Sequence, residues 1–119
     1  MATILVIDDE ESVRMVFQAA LVQAGYRVLI AESGKRALRL LEHQEVELIV
    51  VDIFMPDMDG LEVIQLVRKT RPANKIIAIT GRSGEMDHLD IAKHLGAHAT
   101  LKKPFSLQEL LEAVALQLK

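Results

Sequence analysis

An open parallel β-sheet of five strands, each followed by a helix, is the fold class that this sequence predicts. Three observations lead to it. Short apolar runs, mostly β-branched, alternate along the whole chain with segments of helical spacing. Within those runs the apolar residues are consecutive rather than alternate, as in Leu48-Ile49-Val50-Val51, which suits strands covered by helices on both faces. Five βα units are too few to close an eight-unit barrel, so the (βα)5 chain is left as a doubly wound, three-layer α/β sandwich.

The elements follow in order. Strands are expected at Ile4–Ile7, Arg27–Ile30, Leu48–Val51, Ile76–Ile79 and, more weakly, Ala99–Leu101. After the first strand, Val13, Val16, Phe17, Ala20, Leu21 and Ala24 mark a single apolar stripe on a helix. Leu107, Leu110, Leu111, Val114 and Leu118 repeat that spacing in the last segment. Ser106 with Glu109, and Asp59 with Glu62, have capping-box spacing. Gly25 and Gly96 follow helical stretches, where a left-handed residue ends a helix.

Bulk composition narrows the function classes. A chain of 119 residues with no long linker reads as one domain, residues 1–119, large enough for its own core. Half of it is apolar, which excludes disorder, and a net charge of -3 leaves no footprint for direct nucleic-acid binding. There is no cysteine, hence no disulfide framework, thiolate metal site or thiol nucleophile. The N-terminus has no basic leader and no apolar run spans a bilayer, so a cytoplasmic protein without membrane insertion is expected.

In doubly wound sheets, sites form beyond the carboxyl ends of the strands. Those ends carry Asp8 and Asp9 after strand 1, Asp52 after strand 3, Thr80-Gly81 after strand 4, and Lys102-Lys103-Pro104 after strand 5. One of Asp8 and Asp9 is also expected to cap helix 1. Clustered carboxylates repel one another unless they share protons or bind a cation. Oxygen donors with no histidine or cysteine beside them point to Mg²⁺. Three aspartates against one lysine leave two uncompensated negative charges, the charge of one divalent cation. Such a site suits a phosphoryl donor, with Asp52 as nucleophile, Thr80 donating to a phosphoryl oxygen and one lysine as counter-charge. Pro104 constrains the chain after that lysine and so determines which of the two points inward.

Asp8-Asp9, Asp52 with Met55-Pro56-Asp57-Met58-Asp59-Gly60, Thr80-Gly81 and Lys103-Pro104-Phe105 together resemble the receiver domain of bacterial two-component response regulators. The resemblance covers essentially the whole chain, and no block is decisive alone. It implies a flavodoxin-like fold with strand order 2-1-3-4-5 and phosphotransfer to Asp52. The donor would be a sensor histidine kinase, a histidine phosphotransfer protein or a small phosphodonor. It implies Mg²⁺, with Mn²⁺ as a substitute, held by Asp8, Asp9, Asp52 and the main-chain carbonyl of Phe54. It makes Lys103 the inward lysine, joined to Pro104 by a bond that is usually cis in the family, and leaves Lys102 as a surface charge. No separate substrate is expected, and the domain would promote its own dephosphorylation.

Three positions are expected to modulate the switch. Thr100 stands where many receivers carry the Tyr or Phe whose rotation reports phosphorylation, so the output must run through Thr80, the following loop and helix 4. Phe54 either overhangs the phosphoryl group and slows its loss, or lies against the following loop. Arg82, two residues past Thr80, either pairs with a phosphoryl oxygen or is solvated. His43, His88, His94 and His98 show no metal-like spacing and read as surface residues; Met55 and Met58 read as packing; Gly81-Arg82-Ser83-Gly84 lacks the order and lysine of a phosphate-binding P-loop and is expected to be the mobile segment after Thr80.

The leading function is a phosphorylation-switched signalling domain whose surface of helix 4, strand 5 and helix 5 controls a downstream effector protein or an output domain. A phosphate-independent receiver-like interaction module is the alternative. Less favoured is a Mg²⁺-dependent aspartyl-phosphate phosphatase resembling the haloacid dehalogenase type, whose second aspartate falls at Phe54 here, leaving no general acid. A flavin carrier would fit the fold, but clustered carboxylates would repel its phosphate. No effector segment follows Lys119, so the sequence reads as a stand-alone regulator or a piece of a longer one. The last helix offers Gln108, Glu109, Glu112 and Gln117 with only Lys119 basic, which argues against the dimer that many transcription-factor receivers form through this face.

Overall fold

A computed structural model describes residues 1–55, 60–80 and 86–119, with the side chains of 86–89 and 91 excepted. Its elements run β1 (Thr3–Ile7), α1 (Glu11–Gln23), β2 (Arg27–Ala31), α2 (Gly34–His43), β3 (Leu48–Asp52), α3 (Gly60–Thr70), β4 (Lys75–Thr80), α4 (Met86–Leu95), β5 (Ala99–Lys102) and α5 (Leu107–Gln117). All strand pairs are parallel, in the order β2-β1-β3-β4-β5. The expected strands lengthen by a residue or two but none moves. No helix among the described residues is long and apolar enough to cross a membrane.

The consecutive apolar runs have a direct structural cause. Ile4, Val6, Leu48, Val50, Ile77 and Ile79 face one side, where they pack with Phe17 and Leu21 of α1 and Leu110 and Val114 of α5. Leu5, Ile7, Ile49, Val51, Ile76 and Ala78 face the other, with Ala37 and Leu41 of α2, Val63, Ile64 and Val67 of α3, and Ala92 of α4. Successive side chains of a strand alternate between faces, so a sheet covered twice needs apolar residues at every position. Each fully buried Ile, Leu or Val contributes about 1.5–3 kcal/mol of transfer from water.

The stripe expected on α1 is only partly buried. Phe17 and Leu21 reach the core, but Val16 is 50% exposed and Ala24 is exposed. A regular apolar spacing marks one side of a helix, and only the residues aimed at the sheet lose their water. Leu107 of α5, likewise, is 42% exposed. The Ser106–Glu109 capping box is present in both directions, at 3.0 Å and 3.2 Å. Gly25 and Gly96 adopt φ of 101° and 125°, as a left-handed helix end requires. The Asp59 member of the other capping pair lies outside the described residues.

Gly60 places the start of α3 against the end of β3. A Cβ there would collide with the carbonyl oxygen of Asp52 and with Ile53 Cα, while the Gly60 amide donates to the Ile53 carbonyl at 3.2 Å. Only a residue without a side chain permits this approach.

His98 departs from the surface role its spacing suggested. Its amide donates to the Ile76 carbonyl at 2.8 Å, and its Nδ1 accepts the Ile76 amide at 3.1 Å. The imidazole thus stands in for a main-chain acceptor where β5 meets β4, a role open only to the neutral ring. Burial, then the nearby Lys75 and Arg68, lower its pKa from 6.5. Because the unfolded chain then binds this proton more readily, the stabilisation is complete above about 6.5 and is lost as pH falls through the lower folded value. Thermal melts should therefore show wild type losing more stability between pH 7.5 and pH 5 than His98→Asn, whose amide oxygen can accept the same bond without titrating. Parallel losses would show that His98 is not the group responsible.

Candidate functional site

Four strands, β1, β3, β4 and β5, bring the expected site residues to one edge of the sheet. Ile7 pairs with Val51, so Asp8 and Asp52, the next residues on their strands, come level. Across the next gap Asp52 pairs with Ile79, and beyond it Thr80 pairs with Lys102, which brings Thr80 and Lys103 to the same edge. Asp8, Asp52 and Thr80 are buried, whereas Asp9 is exposed. A carboxylate oxygen from each of Asp8, Asp9 and Asp52 lies within 4.8 Å of the other two.

Lys103 reaches into this cluster, its Nζ lying 3.7 Å from Asp8 Oδ2 and 3.8 Å from Asp52 Oδ2. Lys102 is exposed, as expected for the neighbouring residue of a strand. The Lys103–Pro104 bond is cis, and the Lys103 amide donates to the Thr80 carbonyl at 2.7 Å. Next along the chain, the Phe105 ring packs on Phe17 of α1, with centroids 5.9 Å apart and planes tilted by 42°. The ammonium is therefore carried on a loop pinned to β4 on one side and to α1 on the other.

The carboxylates are positioned by their own backbone. Asp52 Oδ1 accepts the Phe54 amide at 2.8 Å, and Asp8 Oδ1 accepts the Glu10 amide at 2.9 Å. The second bond corrects the expectation that Asp8 or Asp9 caps α1. Glu10 holds the cap position with no side-chain bond, because the Asp8 carboxylate closes the turn before the helix instead. Burial is the main cause pushing the Asp52 carboxyl from 3.8 up to about 6. The Phe54 amide opposes this rise, the Asp8 charge adds to it, Lys103 opposes it, and a hydrogen bond with Asp8 adds to it again. Burial outweighs the favourable partners, so a further positive charge would be favourable beside Asp52.

Phe54 is half-buried and packs on the core beside α3, and Met55 lies within that core. Thr100 is half-buried in β5 opposite Ala78. Arg82, the rest of the Gly81–Gly84 loop, Pro56, Asp57 and Met58 lie outside the described residues, as does the His88 side chain. One contributor went unnoticed in the sequence. Arg14 Nη1 donates to the Asp8 carbonyl at 2.8 Å. Its signal was its place in the first turn of α1, where side chains lean back toward the preceding strand end.

Chemically, the edge offers a cluster of hard oxygen donors next to a single inward ammonium. That donor set fits a divalent cation such as Mg²⁺, which prefers carboxylates and retained water. Beside the site runs an open groove of about 610 Å³ lined by Glu10, Val13, Val16, Phe17, Lys103 and Phe105, among others.

The family model described as the response regulator receiver domain matches residues 4–115. Among curated proteins, the chain is 37% identical over 107 residues to the alkaline phosphatase synthesis transcriptional regulatory protein PhoP of Bacillus subtilis, covering 90% of this chain and 44% of that protein. It is 40% identical over 118 residues to the sensor kinase CckA of Brucella abortus, covering 95% of this chain and 12% of that protein. The chain thus spans less than half the length of either relative. Among solved structures, a CheY-like receiver domain from Methanospirillum hungatei superposes with a TM-score of 0.93 at 30% identity, over 99% of this chain and 94% of that one. The response regulator TrrA of Thermotoga maritima, solved in complex with Mg(2+)-BeF, superposes with a TM-score of 0.89 at 34% identity, over 98% and 99% of the two chains. With its sheet order, its acidic strand ends and these matches in agreement, the chain belongs to the response regulator receiver domain family.

Proposed function

We propose that this domain is a phosphorylation switch that takes a phosphoryl group onto Asp52 from the phosphohistidine of a sensor histidine kinase or histidine phosphotransfer protein. One observation carries the reading: a buried carboxylate, Asp52, lies level with Asp8 at the end of an apolar strand, and Lys103 reaches both. Asp8, Asp9, Asp52 and the main-chain carbonyl of Phe54 would hold Mg²⁺, with Asp8 ligating directly or through water. When bound, the ion supplies the positive charge that draws a phosphoryl group's oxygens to the site.

The chain's own groups do the rest. The Phe54 amide, donating to Asp52 Oδ1, orients the carboxylate so that its other oxygen is available for attack. That oxygen, Oδ2, faces Lys103, whose ammonium can follow the charge from the carboxylate to the phosphoryl oxygens. Thr80, buried at the end of β4, donates its hydroxyl to a phosphoryl oxygen in the phosphorylated state. Because the Thr80 carbonyl also accepts the Lys103 amide, a shift at Thr80 pulls on the β5–α5 loop. The surface of α4, β5 and α5 then shifts to control an effector protein or output domain. With Thr100 in place of an aromatic residue, that signal runs through Thr80, the loop that follows it and α4. That the relative TrrA was solved in complex with Mg(2+)-BeF supports a Mg²⁺-dependent reading of this chain.

The donor must cover this edge of the sheet, and the groove beside Lys103 gives it apolar ground through Val13, Val16 and Phe105. A phosphatase acting on a separate substrate lacks its acid, since Phe54 occupies the place two residues beyond the nucleophile. A phosphate-independent interaction module leaves the Asp8–Asp52–Lys103 cluster without a use.

Incubation with Mg²⁺ and a small phosphodonor such as acetyl phosphate should add one phosphoryl mass to the intact protein. The gain should vanish in Asp52→Ala or with chelator. Labelling that persists in Asp52→Ala would move the acceptor elsewhere, and no labelling of wild type would favour the phosphate-independent module. Shielding of the acyl phosphate by the half-buried Phe54 predicts that Phe54→Asn loses its label several-fold faster after donor removal; an unchanged decay rate would reject the shielding. A third expectation concerns the protein without metal. The Asp52 carboxyl is raised on folding, so its stabilising contribution is complete below 3.8 and lost as pH rises through about 6. At pH 8 in chelator, Asp52→Asn should exceed wild type in stability by on the order of 1–2 kcal/mol in denaturant titrations, discounted for partial solvation. The gap should narrow below pH 4, and a gap independent of pH would rule out the buried charge as its cause.

A further inference from the structure

We infer that Arg14 is a positioning residue for the cation site: its guanidinium holds the Asp8 carbonyl, and thereby the placement of the exposed Asp9 carboxylate relative to that of Asp8. The inference rests on the proposed use of Asp8 and Asp9 as cation ligands and adds a residue to it that holds the ligands without touching the ion.

Every polar group of Asp8 is restrained. Its amide donates to the Ala31 carbonyl of β2 at 3.2 Å, and its Oδ1 accepts the Glu10 amide at 2.9 Å. Its Oδ2 faces Lys103 at 3.7 Å. The main-chain carbonyl is the remaining polar group, and Arg14 Nη1 donates to it at 2.8 Å. That carbonyl belongs to the peptide joining Asp8 to Asp9. The direction of that carbonyl reports ψ of Asp8, the torsion that carries Asp9 and the turn after it, so a change there would move the exposed Asp9 carboxylate relative to the buried Asp8.

Arg14 is well placed to resist that rotation. Its own amide donates to the Glu10 carbonyl at 3.1 Å, so its backbone belongs to the first hydrogen-bonded turn of α1. The side chain then reaches back over the turn that holds Asp9 and Glu10. A rigid helix on one side and a buried strand end on the other clamp the exposed ligand between them. Asp9 has no burial to hold it, so the clamp matters more for Asp9 than for Asp8.

The charge of Arg14 gives the test its sign. A guanidinium beside a cation site repels the cation, so removing it for electrostatic reasons alone would tighten binding. Loss of a group that orients ligands weakens metal binding, commonly by about tenfold or more. The two roles therefore predict opposite directions.

The experiment titrates the metal-free protein with Mg²⁺ and follows the amide signals of Asp9 and Phe54 by NMR, for wild type, Arg14→Met and Arg14→Lys. A melting curve of each protein without metal shows which variants remain folded. Arg14→Met should bind Mg²⁺ about tenfold more weakly than wild type. Arg14→Lys, which keeps the charge but not the planar fork, should fall between them. Binding as tight as wild type or tighter, in whichever variants remain folded, overturns the inference. A wild type that does not respond to Mg²⁺ instead overturns the proposed use of the acidic cluster, and this inference with it.

Discussion

Because helices cover the sheet on both faces, polar side chains have almost no place along its strands and collect at the ends. The arrangement of the site depends on this constraint. In β3, Leu48, Ile49, Val50 and Val51 are all buried, and the next residue is the Asp52 carboxylate. A slip of β3 by one residue would leave apolar groups on both faces, so hydrophobicity alone does not set its register. It would, however, draw a carboxylate between two apolar layers, at a cost well above that of any single apolar contact. The aspartate therefore helps to hold the register of the strand that presents it.

The same burial that positions Asp52 raises its pKa to about 6, and Asp8 alongside adds to the strain. Lys103 relieves part of it from between the two carboxylates. The cluster without its cation is thus folded at some electrostatic cost, which makes it receptive to positive charge. Stability and receptiveness to positive charge pull in opposite directions here, and the apolar core carries the difference.

Several parts of the fold serve to hold that one lysine and that one acidic pair. Phe105 anchors the β5–α5 loop on Phe17, the Lys103 amide ties it to Thr80, and the Ser106–Glu109 capping box starts α5 immediately after it. Gly60 lets α3 begin against the Asp52 peptide, and the Asp8–Glu10 turn closes on its own carboxylate. Beyond these supports the surface is open: Val16 and Leu107 are exposed on the helices that flank the groove beside Lys103. A precisely held centre thus lies next to an exposed apolar rim.

Much of this was legible in the amino-acid sequence. Consecutive apolar runs require a doubly covered sheet, and glycines and capping pairs mark helix ends through local backbone physics alone. The residues that follow each strand name the site, because position along a strand determines which end a residue occupies. Tertiary structure decided what depends on distance between segments. Which apolar residues of α1 are buried follows from the angle at which that helix meets the sheet, so Val16 could not be told from Phe17 by spacing. His98 became part of the β4–β5 ladder only because Ile76 lies opposite it. Arg14 became a partner of Asp8 only because α1 folds back over the end of β1. Asp52 could be singled out from its place in the chain, but its raised pKa belongs to the burial and the neighbours that folding supplies.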